Sequence, residues 1–157
     1  MKCANCGGTI HLNESCINCG IGYEEMINGI SHPEMKRLFK RIKKQQENHA
    51  DTMMEESLMA CELLNLSLIL PIRKNEDIRE VLQIPGPGGK IYLGVFTDAE
   101  EFRKGNVEMT LFTNSWEMLF KLIGCGVDGL VINVFDEAVF IGEDFLDQYF
   151  GDDGVED

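Results

Sequence analysis

Four cysteines stand within the first twenty residues as two C-x-x-C pairs, Cys3/Cys6 and Cys16/Cys19, and glycine follows each pair at Gly7 and Gly20. Thiolates at this spacing can close a tetrahedral shell around one Zn²⁺, the arrangement of a structural site with no open coordination position. A glycine after the second cysteine lets the backbone turn back at positive φ and aim its N–H groups at the sulfurs. The expected ligand set is therefore Cys3, Cys6, Cys16 and Cys19 holding one structural zinc ion. Four thiolates also suit iron. His11 and His32 are not needed as ligands once four thiolates fill the shell.

The other two cysteines carry less. Cys61 falls on an apolar helical stripe and is expected to be a small buried hydrophobe. Cys125 lies between Gly124 and Gly126 with no His or Arg beside it to lower its pKa, so it is not assigned as a nucleophile. The doublets Glu100-Glu101, Asp136-Glu137 and Asp152-Asp153 are expected to be surface charge, because adjacent residues on a helix or strand do not converge on one point. No catalytic residue and no organic cofactor are expected, and the chain is not expected to be an enzyme.

The chain has 157 residues, 44 % of them hydrophobic and 26 % charged, an ordinary globular balance able to form a core. No apolar run is long enough to cross a membrane, and the amino terminus lacks the pattern of a secretory signal. A reducing, cytoplasmic setting is the expectation, and there metal binding is a better use of paired cysteines than disulfides. The net charge is −13, but residues 1–50 carry seven Lys/Arg against five Asp/Glu while the remainder carries seven against twenty-two. Such an acidic body repels nucleic acid and anionic membranes.

These numbers suggest four segments: a zinc ribbon at 1–30, a basic amphipathic helix and linker at 31–50, an α/β domain at 51–151 and an acidic tail at 152–157. In the ribbon, Thr9–Leu12 and Gly22–Ile27 are expected as short strands, with a turn at Asn13-Glu14-Ser15. The helix has a complete start signal: Ser31 and Glu34 as a capping box, Pro33 in the first turn, and Ile30 and Met35 as a hydrophobic staple. Met35, Leu38, Phe39 and Ile42 form its apolar face; Lys36, Arg37, Lys40, Arg41, Lys43 and Lys44 form a basic face suited to docking an acidic protein surface. The polar stretch Lys43–His49 is the expected boundary.

Beyond it, Thr52 and Glu55 can cap a helix whose buried stripe is Met53, Ser57, Ala60, Cys61 and Leu64. Strands follow at Leu66–Ile72 and Lys90–Thr97, separated by the turn Pro85-Gly86-Pro87-Gly88-Gly89. That turn fits neither phosphate-loop pattern, since Ile84 and Ile91 occupy required glycine or hydroxyl positions. Thr97 and Glu100 are expected to cap a short helix, and a brief strand at Met109–Phe112 leads to a helical face of Trp116, Leu119, Phe120 and Ile123 closed by Gly124. Gly129–Val134 and Ala138–Ile141 read as strands, and a last helix starts near Glu143.

Residues 51–150 resemble the amino-terminal domain of the SseB family. The pieces that carry the resemblance are Glu62–Ile72, Ile91–Asp98 with its Phe96-Thr97-Asp98 turn, the helix from Ser115 to Leu122, and Asp128–Asn133. The family usually follows that Asn with Pro, whereas Val134 follows Asn133 here. The resemblance implies an α/β domain with a mixed central sheet flanked by helices, no catalytic site and no metal ligands in that domain. The zinc ribbon is an addition to it.

Taken together, the expectation is a cytoplasmic, non-enzymatic interaction module with a structural zinc site. Its partner would be an acidic protein surface or a second copy of the chain, giving a homo-oligomer. The alternative is a nucleic-acid-binding regulatory protein using the ribbon and basic helix.

Overall fold

The computed structural model describes residues 1–75, 78–123 and 125–150. Its architecture is mixed α+β, with an amino-terminal cysteine cluster followed by helices and two small sheets. The helices α1 (Tyr23–Gly29), α2 (Pro33–Glu47) and α3 (Met53–Leu63) come first. The strands β1 (Ser67–Asn75), β2 (Ile78–Val81), β3 (Gln83–Pro85) and β4 (Ile91–Val95) follow. Then come α4 (Ala99–Arg103), β5 (Thr110–Ser115), α5 (Trp116–Leu122), β6 (Gly129–Ile132), β7 (Val139–Ile141) and α6 (Glu143–Phe150). The glycine-rich piece is a 3₁₀ turn at Pro87–Gly89 joining β3 to β4, a connection between strands as expected. Gly124, expected to close α5, and the tail at 152–157 lie outside the described residues.

The strands make two sheets where one central sheet is expected. One has the order β2-β1-β5, all antiparallel; the other has the order β3-β4-β6-β7, with β4 and β6 parallel. Each of β1 and β4 already has a neighbour on both edges, and the two sheets are bridged where Ile69 of β1 and Phe96, just past β4, exchange hydrogen bonds of 2.8 and 2.9 Å. β6 enters through Gly129, where a Cβ would lie 2.2 Å from the Ile141 carbonyl oxygen. Only glycine allows that approach.

Two apolar cores result. The larger gathers Met35, Leu38, Phe39 and Ile42 of α2 with Met59, Leu63, Leu93, Trp116, Leu130 and Ile132, so all four residues of the expected apolar face are buried. The second joins Cys3, Ile10, Cys16, Tyr23, Met26, Ile27 and Ile30 to Ile69, Phe96, Ala99 and Phe102. The cysteine-rich head therefore shares its core with β1, with α4 and with Phe96 just past β4.

Several local expectations are corrected. Gly22–Ile27 is part of a helix and not a strand, because Tyr23, Met26, Ile27 and Ile30 recur at the helical period and are all buried together. Thr9–Leu12 pairs only through an isolated bridge between Lys2 and Thr9. α2 begins at Pro33, yet Ser31 does not cap it: His32 occupies the capping position, and its Nε2 lies 2.8 Å from the Ser67 carbonyl oxygen. The polar stretch Lys43–His49 is the end of α2 and the turn after it. In α3 the buried residues are Glu55, Met59, Ala60 and Leu63, leaving Met53, Cys61 and Leu64 exposed. That helix is apolar on more than one side, so packing on α2 and not periodicity chose the buried face. Thr52 sits at its amino-terminal cap, but the hydroxyl donates to Glu56 and the Met53 N–H goes to Asp51.

Candidate metal centre

The four cysteines expected as ligands come together. Their Sγ atoms lie within 4.8 Å of one another, with Cys3 and Cys19 at 3.8 Å and Cys6 and Cys16 at 3.5 Å. A tetrahedron of sulfurs at the usual metal–thiolate distance has edges of about 3.8 Å, so the cluster has the size of such a shell. Four sulfurs in this arrangement can hold a metal ion. Neither His11 nor His32 belongs to the group.

The two knuckles have the same backbone plan. The Cys3 carbonyl accepts from Gly7 N–H at 2.8 Å and the Cys16 carbonyl from Gly20 N–H at 3.0 Å. Cys3 N–H reaches the Gly8 carbonyl at 2.7 Å and Cys16 N–H the Ile21 carbonyl at 2.8 Å. Both reversals rest on the positive φ of Gly7 and Gly20, 80° and 79°. Backbone N–H groups then point at sulfur: Gly8 to Cys6 at 3.3 Å, and Asn18 and Cys19 to Cys16 at 3.4 and 3.5 Å. Cys3 and Cys16 face the core, whereas Cys6 and Cys19 face solvent.

Electrostatics follow this division. Burial pushes the Cys3 thiol up to about 11. Hydrogen bonds hold the other three below the ordinary thiol value: chiefly the Asn18 amide on Cys6, the Cys19 N–H on Cys16 and the Asn5 amide on Cys19. A cation among the sulfurs would favour the thiolate at all four positions. The asparagine side chains were not singled out from sequence, although both knuckles read C-x-N-C-G.

The head is anchored by named contacts. Met26 Sδ accepts the Ala4 N–H at 3.3 Å, Thr113 Oγ1 donates to the Lys2 carbonyl at 3.2 Å, and Tyr23 OH donates to the Leu111 carbonyl. Arg103 donates to Asn28 Oδ1 at 2.7 Å, tying α4 to α1.

The basic face of α2 is not uniformly free. Lys36 Nζ lies 2.8 Å from both Asp98 Oδ2 and Glu101 Oε2, and Lys104 bridges Glu101 at 3.0 Å and Asp136 at 2.9 Å. The result is an alternating chain Asp98–Lys36–Glu101–Lys104–Asp136. Glu101 is therefore buried and doubly paired, which corrects the expectation of plain surface charge. Arg37 pairs with Glu34; Lys40, Arg41 and Lys44 are exposed, and Lys43 is half-buried beside an open groove of about 680 Å³ between α2, α3 and α6. Asp98, and not Thr97, caps α4, taking the Glu101 N–H at 2.9 Å. Thr97 is committed elsewhere: its N–H and hydroxyl are clamped by the side chain of Asn133. The Phe96-Thr97-Asp98 turn and Asn133 thus meet at the carboxyl ends of the parallel strands β4 and β6. Cys125 donates its thiol proton to the Lys121 carbonyl at 3.5 Å.

Burial works against ionisation of Asp98, but the Lys36 ammonium, the Glu101 N–H and the Thr97 hydroxyl outweigh it and hold the carboxyl below its ordinary value. The unfolded chain therefore takes up this proton first. The stabilisation is complete above the unfolded value of about 4 and is lost as pH falls through the lower folded value. Lys36→Met keeps the packed stem and removes the cation, and should cost about 1–2 kcal/mol at pH 7. Urea melts of both proteins across pH 3–7 should show the gap between them narrowing below about pH 4. A gap of constant size would remove Asp98 as its source.

Comparison of the chain with protein-family models, with curated proteins and with solved structures finds no match. Among the described residues, no helix is long and apolar enough to cross a membrane.

Proposed function

We propose that this chain is a non-enzymatic, cytoplasmic interaction module whose amino-terminal head is folded by one structural zinc ion. The observation that carries the reading is the closed set of four sulfurs, two of which are built into a core shared with Ile69 of β1, Phe96 and α4. A shell with no open position supplies shape and not reactivity. The body is proposed to be of the SseB amino-terminal type, supported by the meeting of the Phe96-Thr97-Asp98 turn with Asn133. Docking is assigned to the exposed cations Lys40, Arg41 and Lys44 of α2, since Lys36 is spent within the chain. The complementary surface is an acidic one on another protein, and a second copy of this acidic chain also qualifies.

Two measurements test this. Metal analysis of purified protein should give one zinc per chain, falling to background in Cys3→Ser/Cys6→Ser; iron in its place would correct the ion and keep the site. Affinity capture should then be compared between wild type and Lys40→Glu/Arg41→Glu/Lys44→Glu, with sizing of the protein alone to detect self-association. A protein partner or dimer weakened at least tenfold by charge reversal is the expected result. Equal capture by both proteins would end the assignment of this face. Nucleic-acid binding that weakens steeply with salt and depends on these cations would favour the regulatory alternative.

A further inference from the structure

The two knuckles repeat the same five-residue word, Cys3-Ala4-Asn5-Cys6-Gly7 and Cys16-Ile17-Asn18-Cys19-Gly20. The asparagine side chains do not serve their own knuckle. Asn5 Nδ2 lies 3.3 Å from Cys19 Sγ, and Asn18 Nδ2 lies 3.4 Å from Cys6 Sγ. Each side chain therefore crosses to the other knuckle, and each ends on one of the two sulfurs that face solvent.

A second observation shows that the crossing is built into the backbone. A Cβ on Gly8 would lie 2.8 Å from Asn18 Cβ and 3.3 Å from Cys6 Sγ, so the first knuckle leaves room for the Asn18 side chain. The chemistry is selective as well. A thiolate accepts and does not donate, so it orders a neighbouring amide with its NH₂ inward, and a bond from a neutral donor to an anion is stronger than one between neutral groups. The core-facing sulfur of Cys16 draws its donors from backbone N–H groups instead.

We infer that Asn5 and Asn18 form a reciprocal clasp that retains the metal, acting as positioning residues on the exposed thiolates Cys19 and Cys6. Detaching an exposed thiolate from the ion, by proton, competing chelator or electrophile, requires breaking an amide contact anchored on the opposite knuckle. The clasp thereby couples the two halves of the site and sets how fast it opens. This rests on the proposed metal site, and the experiment separates the two.

Full-length wild type, Asn5→Ala, Asn18→Ala and the double variant are loaded with Zn²⁺ or Co²⁺. Release to excess chelator is followed by a metal indicator, and the sulfur-to-cobalt absorption bands report the shell. Loss of a contact of this kind around a metal commonly weakens retention by about 10–100-fold. Each single variant should release metal about tenfold faster, while the cobalt bands remain those of a tetrahedral four-thiolate site. Asn18→Asp should be faster still, because a carboxylate repels the thiolate; Asn18→Ser keeps a donor and should fall between Ala and wild type. Gly8→Ala, which displaces Asn18 without removing it, should resemble Asn18→Ala. Release from the double variant within twofold of wild type overturns the clasp. Wild type that takes up neither metal overturns the metal site itself. A variant that loses the cobalt bands altogether is judged by the Ser variant, whose release rate decides in the same way.

Discussion

Replacing Cys16 by Ser, or stripping the metal with a chelator, is expected to destabilise the whole chain and not the head alone. Metal binding to four-thiolate sites of this size is worth on the order of 10 kcal/mol, comparable to the entire stability of many domains. A free-standing ribbon would confine that loss to itself. Here Cys3 and Cys16 are buried in the same cluster as Ile69, Phe96, Ala99 and Phe102. The Ile69–Phe96 pair in that cluster is also the hydrogen-bonded junction between the two sheets. A loss of about 5 kcal/mol or more should lower the melting midpoint by about 10–20 °C. Trp116, the single tryptophan, lies in the other core and reports on it independently. Its fluorescence and the exchange of the Ile69 and Phe96 amides should change together in Cys16→Ser. Wild-type protection of those two amides in the variant would show that the head is thermodynamically separate.

The second large effect is expected at Asn133. This residue is buried, adopts φ of 57°, and uses both ends of its amide on Thr97: Oδ1 takes the Thr97 N–H at 3.0 Å, and Nδ2 gives to Thr97 Oγ1 at 3.0 Å. Asn133→Ala leaves the buried Thr97 N–H unpaired, while the Thr97 hydroxyl keeps its 3.2 Å bond to Asp98 Oδ2. It also places an alanine in the left-handed region without the local compensation asparagine offers, so the expected cost is about 2–4 kcal/mol. Asn133→Gly also loses the clamp but tolerates the backbone, so it should be milder than Ala by about 1 kcal/mol. Denaturant melts of the pair separate the two contributions. If Gly and Ala variants are equally stable, the left-handed conformation carries no cost here; if neither differs from wild type, the clamp carries none.

Much of the candidate metal site was legible because coordination imposes spacing on sequence. Cys3, Cys6, Cys16 and Cys19 must be near neighbours to share an ion, and the glycines after each pair mark the positive φ that the reversals need. The face Met35, Leu38, Phe39 and Ile42 was legible for a similar reason: an amphipathic helix writes its buried side at its own period. Tyr23, Met26 and Ile27 of α1 and Ile30 just after it keep that period too, but the stretch Gly22–Ile27 is short enough to fit a strand as well, and burial of all four together selects the helix.

Other features were settled only by the tertiary structure. Nothing local says that Lys36 meets Asp98 and Glu101, because residues more than sixty positions apart are joined by packing and not by pattern. The same holds for α3, apolar on several sides, whose buried face depends on what α2 offers it. The cap motifs at Ser31, Thr52 and Thr97 do not form: the Thr52 hydroxyl goes to Glu56, His32 takes the capping position beside Ser31, and Asn133 claims Thr97 and leaves the cap to Asp98. The four cysteines were thus determined by sequence as a cluster, through the geometry any shared ion demands. That their inner pair would be buried in one cluster with Ile69 and Phe96, placing the candidate metal site against the junction of the two sheets, was decided by three-dimensional packing alone.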